Sequence, residues 1–373
     1  MAGKNPTLHE VAERAGVSIA TVSRVARGFG QVSPATRTKV LEAIEAMNYR
    51  PSHFGRALVK RRHGALGLVF PGLRGPYYSE VIHGFEVESV AARMSLMIVG
   101  TELLGSAEEQ VLGMADRTDG LAIMGGAIPD ELVQRLVRRQ VPIVTLSRRR
   151  LDDIPNVRVD NYFNTVALTR HLIDVHGYRD LRFIGHIVAA PDAIDRWAGF
   201  QQAHRDAGLH LPDAPVPAGY EQTAGARAAE HIFDNPPWPE AIVCGNDELA
   251  FGALSAAAAR GIRVPHELAI TGWDDIPFAR IATPPLTTVH QPARALGAET
   301  ARMLLGRING LPDPPGEVVL PTRLEIRASC GCVPNPIPNN GTPLPAAATH
   351  TGKGETSETI MIEASSHRAT IHA

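Results

Sequence analysis

Near the start of the chain, apolar residues recur at helical spacing in three short runs. Leu8, Val11, Ala12 and Ala15 fall on one helical face. The run opens at Thr7-Leu8-His9-Glu10, the spacing of a capping box, in which the Thr7 hydroxyl accepts from a first-turn N–H and Glu10 reaches back. Gly16 ends this helix and permits a tight turn, and Ser18 caps a second helix that points Val22 and Val25 inward. Ser33-Pro34 starts a third, with Val40, Leu41, Ile44 and Met47 as its buried stripe. From residue 64 the rhythm changes: short apolar runs alternate with amphipathic stretches of helical length. Leu66–Phe70 reads as a strand and is followed by a helix over about Tyr78–Arg93. Ser95–Val99, Leu121–Met124 and Ile143–Leu146 repeat the pattern, and a second set runs through Leu181–Ile184, Ala241–Cys244 and Leu268–Thr271. Buried strands alternating with helices predict an α/β core of parallel sheets, and two such sets in tandem predict two lobes with a ligand in the cleft near the strand ends.

The three-helix head, residues 1–50, with its Gly-containing turn between the first two helices, has the helix-turn-helix plan, whose second helix enters the DNA major groove. On that helix Ile19, Ala20, Ser23 and Arg24 lie opposite Val22 and Val25. Exposed Ile19 and Ala20 suit contact with thymine methyls, and Arg24 suits guanine; the alternatives are that Ile19 packs in the core and that Arg24 touches only phosphate. Charge distribution changes the picture in the same direction. Residues 1–63 hold eleven Lys or Arg against four Glu, a net of +7, whereas the whole chain totals −2, leaving about −9 for the remainder. A basic head on an acidic body is a nucleic-acid footprint. Three cysteines make no disulfide framework and fit a reducing compartment. With no apolar run of transmembrane length and no signal-peptide core, the expected location is the cytoplasm, with no membrane partner.

The motifs Thr7-Leu8-His9-Glu10-Val11-Ala12, Ala15-Gly16-Val17-Ser18, Thr21-Val22-Ser23-Arg24-Val25, Val32-Ser33-Pro34-Ala35-Thr36-Arg37 and Asn48-Tyr49-Arg50-Pro51 resemble the lactose-repressor (LacI/GalR) family. Asp119-Gly120-Leu121, Cys244-Gly245-Asn246-Asp247, Gly272-Trp273-Asp274-Asp275 and Pro284-Pro285-Leu286-Thr287-Thr288-Val289 continue the resemblance at family spacing, over about residues 7–330. The resemblance implies a hinge helix and linker at residues 51–63, with Leu58 wedged into the minor groove. It also implies a core at residues 64–329 with the fold of periplasmic sugar-binding proteins. Chain crossings near 161, 290 and 322 would give one lobe of about 64–161 and 291–321 and another of about 162–290 and 322–329. The candidate DNA-contacting set is Thr7, Ser18, Ile19, Ala20, Thr21, Ser23, Arg24, Arg27, Tyr49, Arg56 and Leu58.

The resemblance also places effector-binding residues. They are the aromatic residues Tyr77, Tyr78 and Tyr220, the arginine Arg196, and the hydroxyl-binding Asn246 and Asp274. Asp160 stands between ligand and hinge, and Asp192 is a weaker candidate. Rival readings stay open: helix packing for Tyr78, ion pairing of Arg196 with Asp192 or Asp195, turn chemistry for Asp274 with Asp275 competing, a helix N-cap or structural acid at Asp247, lobe packing for Trp197 and a solvated loop for Arg148-Arg149-Arg150. The histidines are scattered without metal-ligand spacing, and Cys330-Gly331-Cys332 is too sparse for zinc with no second Cys/His pair in range, so neither a metal nor a cofactor is expected. No catalytic constellation is present, so an enzyme is not expected. The polar stretch from 330 to 373 reads as a disordered tail without a leucine-heptad helix, which favours a homodimer on a near-palindromic operator. The expectation is a repressor-type regulator controlled by a sugar in the cleft.

Overall fold

A computed structural model describes residues 6–26, 31–49, 62–103, 105–151, 153–185, 191–313 and 317–333. Arg27, the hinge positions Arg56 and Leu58, and the tail from 334 onward lie outside them.

The head consists of α1 (Leu8–Ala15), α2 (Ile19–Ala26) and α3 (Pro34–Ala46). The capping box at its start is formed: the Glu10 amide donates to Thr7 Oγ1 at 3.3 Å, and the Thr7 amide donates to Glu10 Oε2 at 2.6 Å. Gly16 takes φ +64° and closes α1; Ser18 and Ser33 accept from the Thr21 and Thr36 amides, each at 3.2 Å. Val11, Ala12, Val22, Val25, Val40 and Ala43 form the shared core. Two expectations are corrected here. Leu41 is 49% exposed, and Ala43 occupies the inner face of α3 instead. Tyr49 is buried in this core, so it supports the head from within rather than facing DNA. The bend just past α3 folds it back, its amide donating to Ile44 O.

The core alternates strands and helices: β1 (Ala65–Phe70), α4 (Pro76–Ala91), β2 (Ser95–Gly100), α5 (Ala107–Ala115), β3 (Gly120–Met124), α6 (Asp130–Arg138), β4 (Ile143–Leu146) and β5 (Asn156–Val159). After them come α7 (Tyr162–Asp174), β6 (Leu181–Ile184), α8 (Pro191–Asp206), α9 (Gln222–Phe233), β7 (Ala241–Cys244), α10 (Asp247–Ala259), β8 (Ala269–Thr271) and β9 (Thr288–His290). Next are α11 (Ala293–Ile308), β10 (Glu317–Leu320) and β11 (Arg323–Glu325). A six-stranded parallel sheet has the order β10-β5-β4-β3-β1-β2, and a three-stranded parallel sheet has β6-β7-β8; β11 and β9 pair antiparallel. The chain therefore passes between the two sheets three times: after β5, between β9 and α11, and between β10 and β11.

Both faces of the large sheet are covered. Leu66, Leu68 and Phe70 pack against Val81, Phe85 and Leu296, while Val69, Leu121 and Ile123 pack against Val111, Met114 and Leu136. Burial on both faces is why β1 reads as a continuous apolar run. Helices α4 and α11 cross at glycines, since a Cβ on Gly297 would stand 2.0 Å from Val81 O. Gly297→Val is expected to lower stability by about 3 kcal/mol, the upper end of over-packing costs, read as a fall in the thermal midpoint.

Just before β1, Arg62 donates to Ile308 O at 2.8 Å and to Asn309 Oδ1 at 3.0 Å, and the Gly64 amide donates to Asp119 Oδ2 at 2.8 Å. The linker thus enters the core anchored on the C-terminal end of α11, where a cation suits the helix dipole. Arg148 was expected in a solvated loop. It is instead buried, donating to Ile128 O and paired with Asp130, while Arg149 and Arg150 are exposed. The terminal segment also departs from expectation. Ala328–Cys330 forms a 3-10 turn with Cys330 fully buried, so packed chain continues past 330. A Cys/His pair does come into range of Cys330 and Cys332, because α7 and the turn after it carry His171 and His176 to the same spot. Among the described residues no helix is long and apolar enough to cross a membrane.

Candidate functional site: a head for DNA and a cavity between two sheets

In the head, α2 buries Val22 and Val25 and turns Ile19 (45% exposed), Ala20 and Arg24 outward. An exposed isoleucine and alanine beside an arginine gain nothing from water, and they suit thymine methyls and a guanine edge. Thr7 and Ser18 are also exposed at helix starts, where backbone N–H groups cluster. The Ser18 and Thr21 hydroxyls lie 2.9 Å apart. Ser23 is half-buried on the same helix.

In the core, a cavity of about 510 Å³ lies between the sheets. Its lining comes from residues that follow strands: Pro71 and Gly72 after β1, Thr101 and Glu102 after β2, Gly125 after β3, Ser147 after β4, Asn246 after β7, Asp274 after β8 and Gln291 after β9. Strand ends are where an open α/β sheet leaves room for a ligand. Tyr77, Tyr78, Arg196, Tyr220, Asn246 and Asp274 all line this cavity; Asp160 does not.

Arg196 stands at the centre of the polar wall. Its Nε donates to Asn161 Oδ1 at 2.8 Å, its Nη1 donates to Gly245 O at 2.6 Å, and its guanidinium lies 4.6 Å from the centroid of the Trp273 ring. Two fixed bonds and an aromatic floor hold the guanidinium in one orientation. Asn161 Nδ2 also donates to Asp192 Oδ1 at 2.9 Å, so a residue at the first crossing orients both members of the wall. Burial raises the Asp192 pKa above the usual carboxylate value, opposed by the charge of Arg196. Asp274 is pushed up to about 7, chiefly by burial; Arg196 and a hydrogen bond from Gln291 pull the other way. Its backbone φ of +122° is unusual for a residue with a Cβ and aims the carboxylate into the cavity wall. Gln291 Oε1 is buried without a partner among the described residues, an acceptor that a ligand hydroxyl would satisfy. Tyr77 Oη lies 3.4 Å from Ser147 Oγ; burial raises the pKa of all three tyrosines, that of Tyr220 to about 12, so they act as neutral rings with hydroxyl tips.

The Asp160 carboxylate accepts from the Tyr162 and Phe163 amides at 3.1 and 3.2 Å: the free N–H groups opening α7 claim it. Asn246, not Asp247, caps α10. Its Oδ1 accepts from the Leu249 amide at 2.8 Å and its Nδ2 donates to Tyr220 O at 3.0 Å, so both ends of the amide are occupied although it lines the cavity. Asp247 is a buried acid tying segments together, accepting from the Thr288 hydroxyl at 2.6 Å and the Ile276 amide at 2.9 Å. Between Asp274 and Asp275 the roles separate clearly. Asp275 is held by Arg327, His290 and Arg280, outside the cavity. Trp197 packs, stacked on Phe200 at 5.3 Å. Sequence reasoning missed Glu102, Ser147, Glu221, Glu248 and Gln291; for the first four the signal available was their position just past predicted strands or beside a named aromatic residue.

A groove-reading helical head joined to a two-sheet, ligand-cavity core defines a class: DNA-binding transcription regulators, not enzymes. The chain belongs to the lacI family of bacterial regulatory proteins, whose model matches residues 7–52, while a periplasmic binding protein-like domain matches residues 169–330. It is 33% identical over 328 residues to the HTH-type transcriptional repressor PurR of Erwinia tasmaniensis, covering 86% of this chain and 96% of that one. Among solved structures it is similar to a transcriptional regulator CelR–cellobiose complex (30% identity, 87% and 100% coverage, TM-score 0.66). It is also similar to the lac repressor dimer bound to operator and the anti-inducer ONPF (26% identity, 88% and 99% coverage, TM-score 0.76).

Proposed function

We propose that this regulator is controlled by a neutral saccharide bound in the cavity, which alters the affinity of the head for a near-palindromic operator. The observation that carries the reading is the cavity wall. Tyr77, Tyr78 and Tyr220 supply ring faces for sugar C–H surfaces, while Arg196, Asp192, Asp274 and Gln291 converge as hydroxyl partners. Five carboxylates (Glu102, Asp192, Glu221, Glu248, Asp274) against two arginines (Arg74, Arg196) disfavour an anionic ligand and leave an uncharged polyol as the best fit. The CelR structure holds a sugar, cellobiose, which supports the same class. Calorimetry against a panel of neutral mono- and disaccharides tests it: one member binds, and its phosphorylated counterpart does not. A panel in which only anions or purines bind sinks the reading.

Asp274 gives this site a pH signature. A sugar hydroxyl donating to the carboxylate favours its charged form and lowers its pKa from about 7. Binding near neutral pH therefore releases a proton, and affinity falls as pH drops below about 7 and levels off above it. Titration calorimetry in buffers of different ionisation enthalpy measures this; affinity that rises on acidification contradicts it.

For DNA, the reading uses Thr7, Ser18, Ile19, Ala20, Thr21, Ser23 and Arg24, together with Arg27, Arg56 and Leu58 outside the described residues. We extend it to a homodimer working in the cytoplasm, where chromosomal DNA is. Exposed Val87 and Val90 on α4 and Ile98 on edge strand β2 suit coverage by a second copy, and the lac repressor structure is that of a dimer on operator. The lobes in this reading are residues 64–161 with 291–321, and residues 162–290 with 322–333.

A further inference from the structure

His171 sits in the last turn of α7, His176 in the turn that leads to β6, and Cys330 and Cys332 near the end of the described chain. The Nε2 atoms of the two histidines lie 3.3 Å apart, their rings inclined at 81°. His171 Nε2 is 3.5 Å from Cys330 Sγ and 3.4 Å from Cys332 Sγ, and His176 Nε2 is 3.4 Å from Cys332 Sγ. All four donor atoms fall within 4.8 Å of one another. Tetrahedral zinc, with bonds of about 2.0–2.1 Å to nitrogen and about 2.3 Å to sulfur, has N···N edges of about 3.3–3.4 Å and N···S edges of about 3.5–3.6 Å. Four of the six separations match those edges to within about 0.2 Å, and the remaining two, His176 Nε2 to Cys330 Sγ and sulfur to sulfur, lie within 4.8 Å, so a small side-chain adjustment closes the tetrahedron.

We propose that His171, His176, Cys330 and Cys332 form a zinc site that staples the chain after the third crossing to the helix after the first. Two thiolates and two imidazoles suit zinc and not the oxygen-seeking magnesium or calcium. Four protein ligands leave no open position, so the ion is structural rather than catalytic. Binding exchanges two thiol protons for the ion, giving a site of no net charge. Supporting groups surround it. The Thr287 hydroxyl donates to Cys330 Sγ at 3.1 Å, the Tyr178 hydroxyl donates to Cys330 O at 3.2 Å, and the Tyr178 ring stacks on His176. Such partners orient ligands and offset thiolate charge. Gly331, at φ +107°, makes the turn that brings both sulfurs to one side; a Cβ there would stand 3.2 Å from His176 Nδ1.

The staple reaches the effector cavity through α7. At the other end of this helix Asn161 holds Arg196, and Asn164 Nδ2 donates to Thr322 Oγ1 at 2.8 Å, joining the first and third crossings. With zinc bound, α7 and the terminal segment move as one body.

The test uses full-length, untagged protein. Metal analysis is expected to find about one zinc per chain, and cobalt added to chelator-stripped protein is expected to give tetrahedral visible bands with thiolate charge transfer. In competition with a chromophoric chelator, Cys332→Ser and His176→Ala should bind zinc at least about a hundredfold more weakly, since losing even a supporting group costs about 10–100-fold. Added zinc should raise the thermal midpoint of stripped wild type and not that of Cys332→Ser. Circular dichroism establishes that each variant is folded, and a variant that is not is replaced by His171→Ala. Stripped, reduced and folded wild type that binds zinc no more tightly than the folded variants, or cobalt bound without thiolate charge transfer, overturns the proposal.

Discussion

Arg196→Ala is expected to weaken effector binding by at least about a hundredfold, close to 3 kcal/mol, while the head still binds DNA. The substitution removes a guanidinium held by Asn161 Oδ1 and Gly245 O and floored by Trp273. Hydrogen bonds to charged groups contribute about 1.5–3 kcal/mol each, and two buried acceptors lose their donor at once. Asn161 then loses the guanidinium that fixes its amide, so the bond it donates to Asp192 is less constrained and the wall loosens beyond the deleted side chain. Arg196→Lys should recover little, because an ammonium cannot reproduce the planar fork. Calorimetry with the saccharide that binds wild type measures the loss; an affinity within about threefold of wild type, on the same scale as ordinary surface substitutions, contradicts this role.

The second large effect belongs to the head. Ile19→Asp combined with Arg24→Ala is expected to lower operator affinity at least about a hundredfold. A specific base contact is worth about 1–3 kcal/mol, and a carboxylate in the groove adds repulsion from phosphate. Both side chains are exposed, so the three-helix core of Val11, Val22, Val25 and Val40 survives and the head stays folded. Anisotropy titrations should show specific and non-specific affinities converging, with effector binding to the core unchanged. Equal loss on operator and on random duplex would mean that these positions touch only the backbone.

Much of this was legible in the sequence for physical reasons. Local signals suffice for α1, where Thr7 and Glu10 are three residues apart, and for β1, where burial on both faces writes an unbroken apolar run. The helical face of α2 separates Val22 and Val25 from Ile19, Ala20 and Arg24 by periodicity alone. Failures occur where distant segments converge. Tyr49 looks like an exposed aromatic until α3 turns back on itself. Asp160 and Asn161 are neighbours, and only the direction of α7 decides that the carboxylate of the first accepts from the amides opening the helix while the second faces Arg196. Asn246 and Asp247 divide for the same reason: the first free amides of α10 meet the Asn246 side chain, which leaves Asp247 as the structural acid. Gln291 reaches the cavity from the end of β9, a short strand that no local pattern announces. The meeting of His171 and His176 with Cys330 and Cys332 is the extreme case, since their spacing along the chain bears no relation to their spacing in space.

Arg62 and Asn161 show how the two functions can communicate. Arg62 ties the start of the core to the end of α11, a helix that follows the second crossing. Asn161 ties the first crossing to the cavity wall. A ligand that favours one arrangement of the sheets acts on all three crossings together. It can move operator affinity only by its own preference between arrangements. The most direct test is operator affinity, on a duplex obtained by in vitro selection, at zero and saturating concentration of the saccharide that binds in calorimetry. The account predicts a change of about 5–150-fold in Kd for wild type and a much smaller one for Arg196→Ala at the same ligand concentration. A saccharide that saturates the cavity of the wild-type protein and leaves its operator Kd unchanged would contradict it.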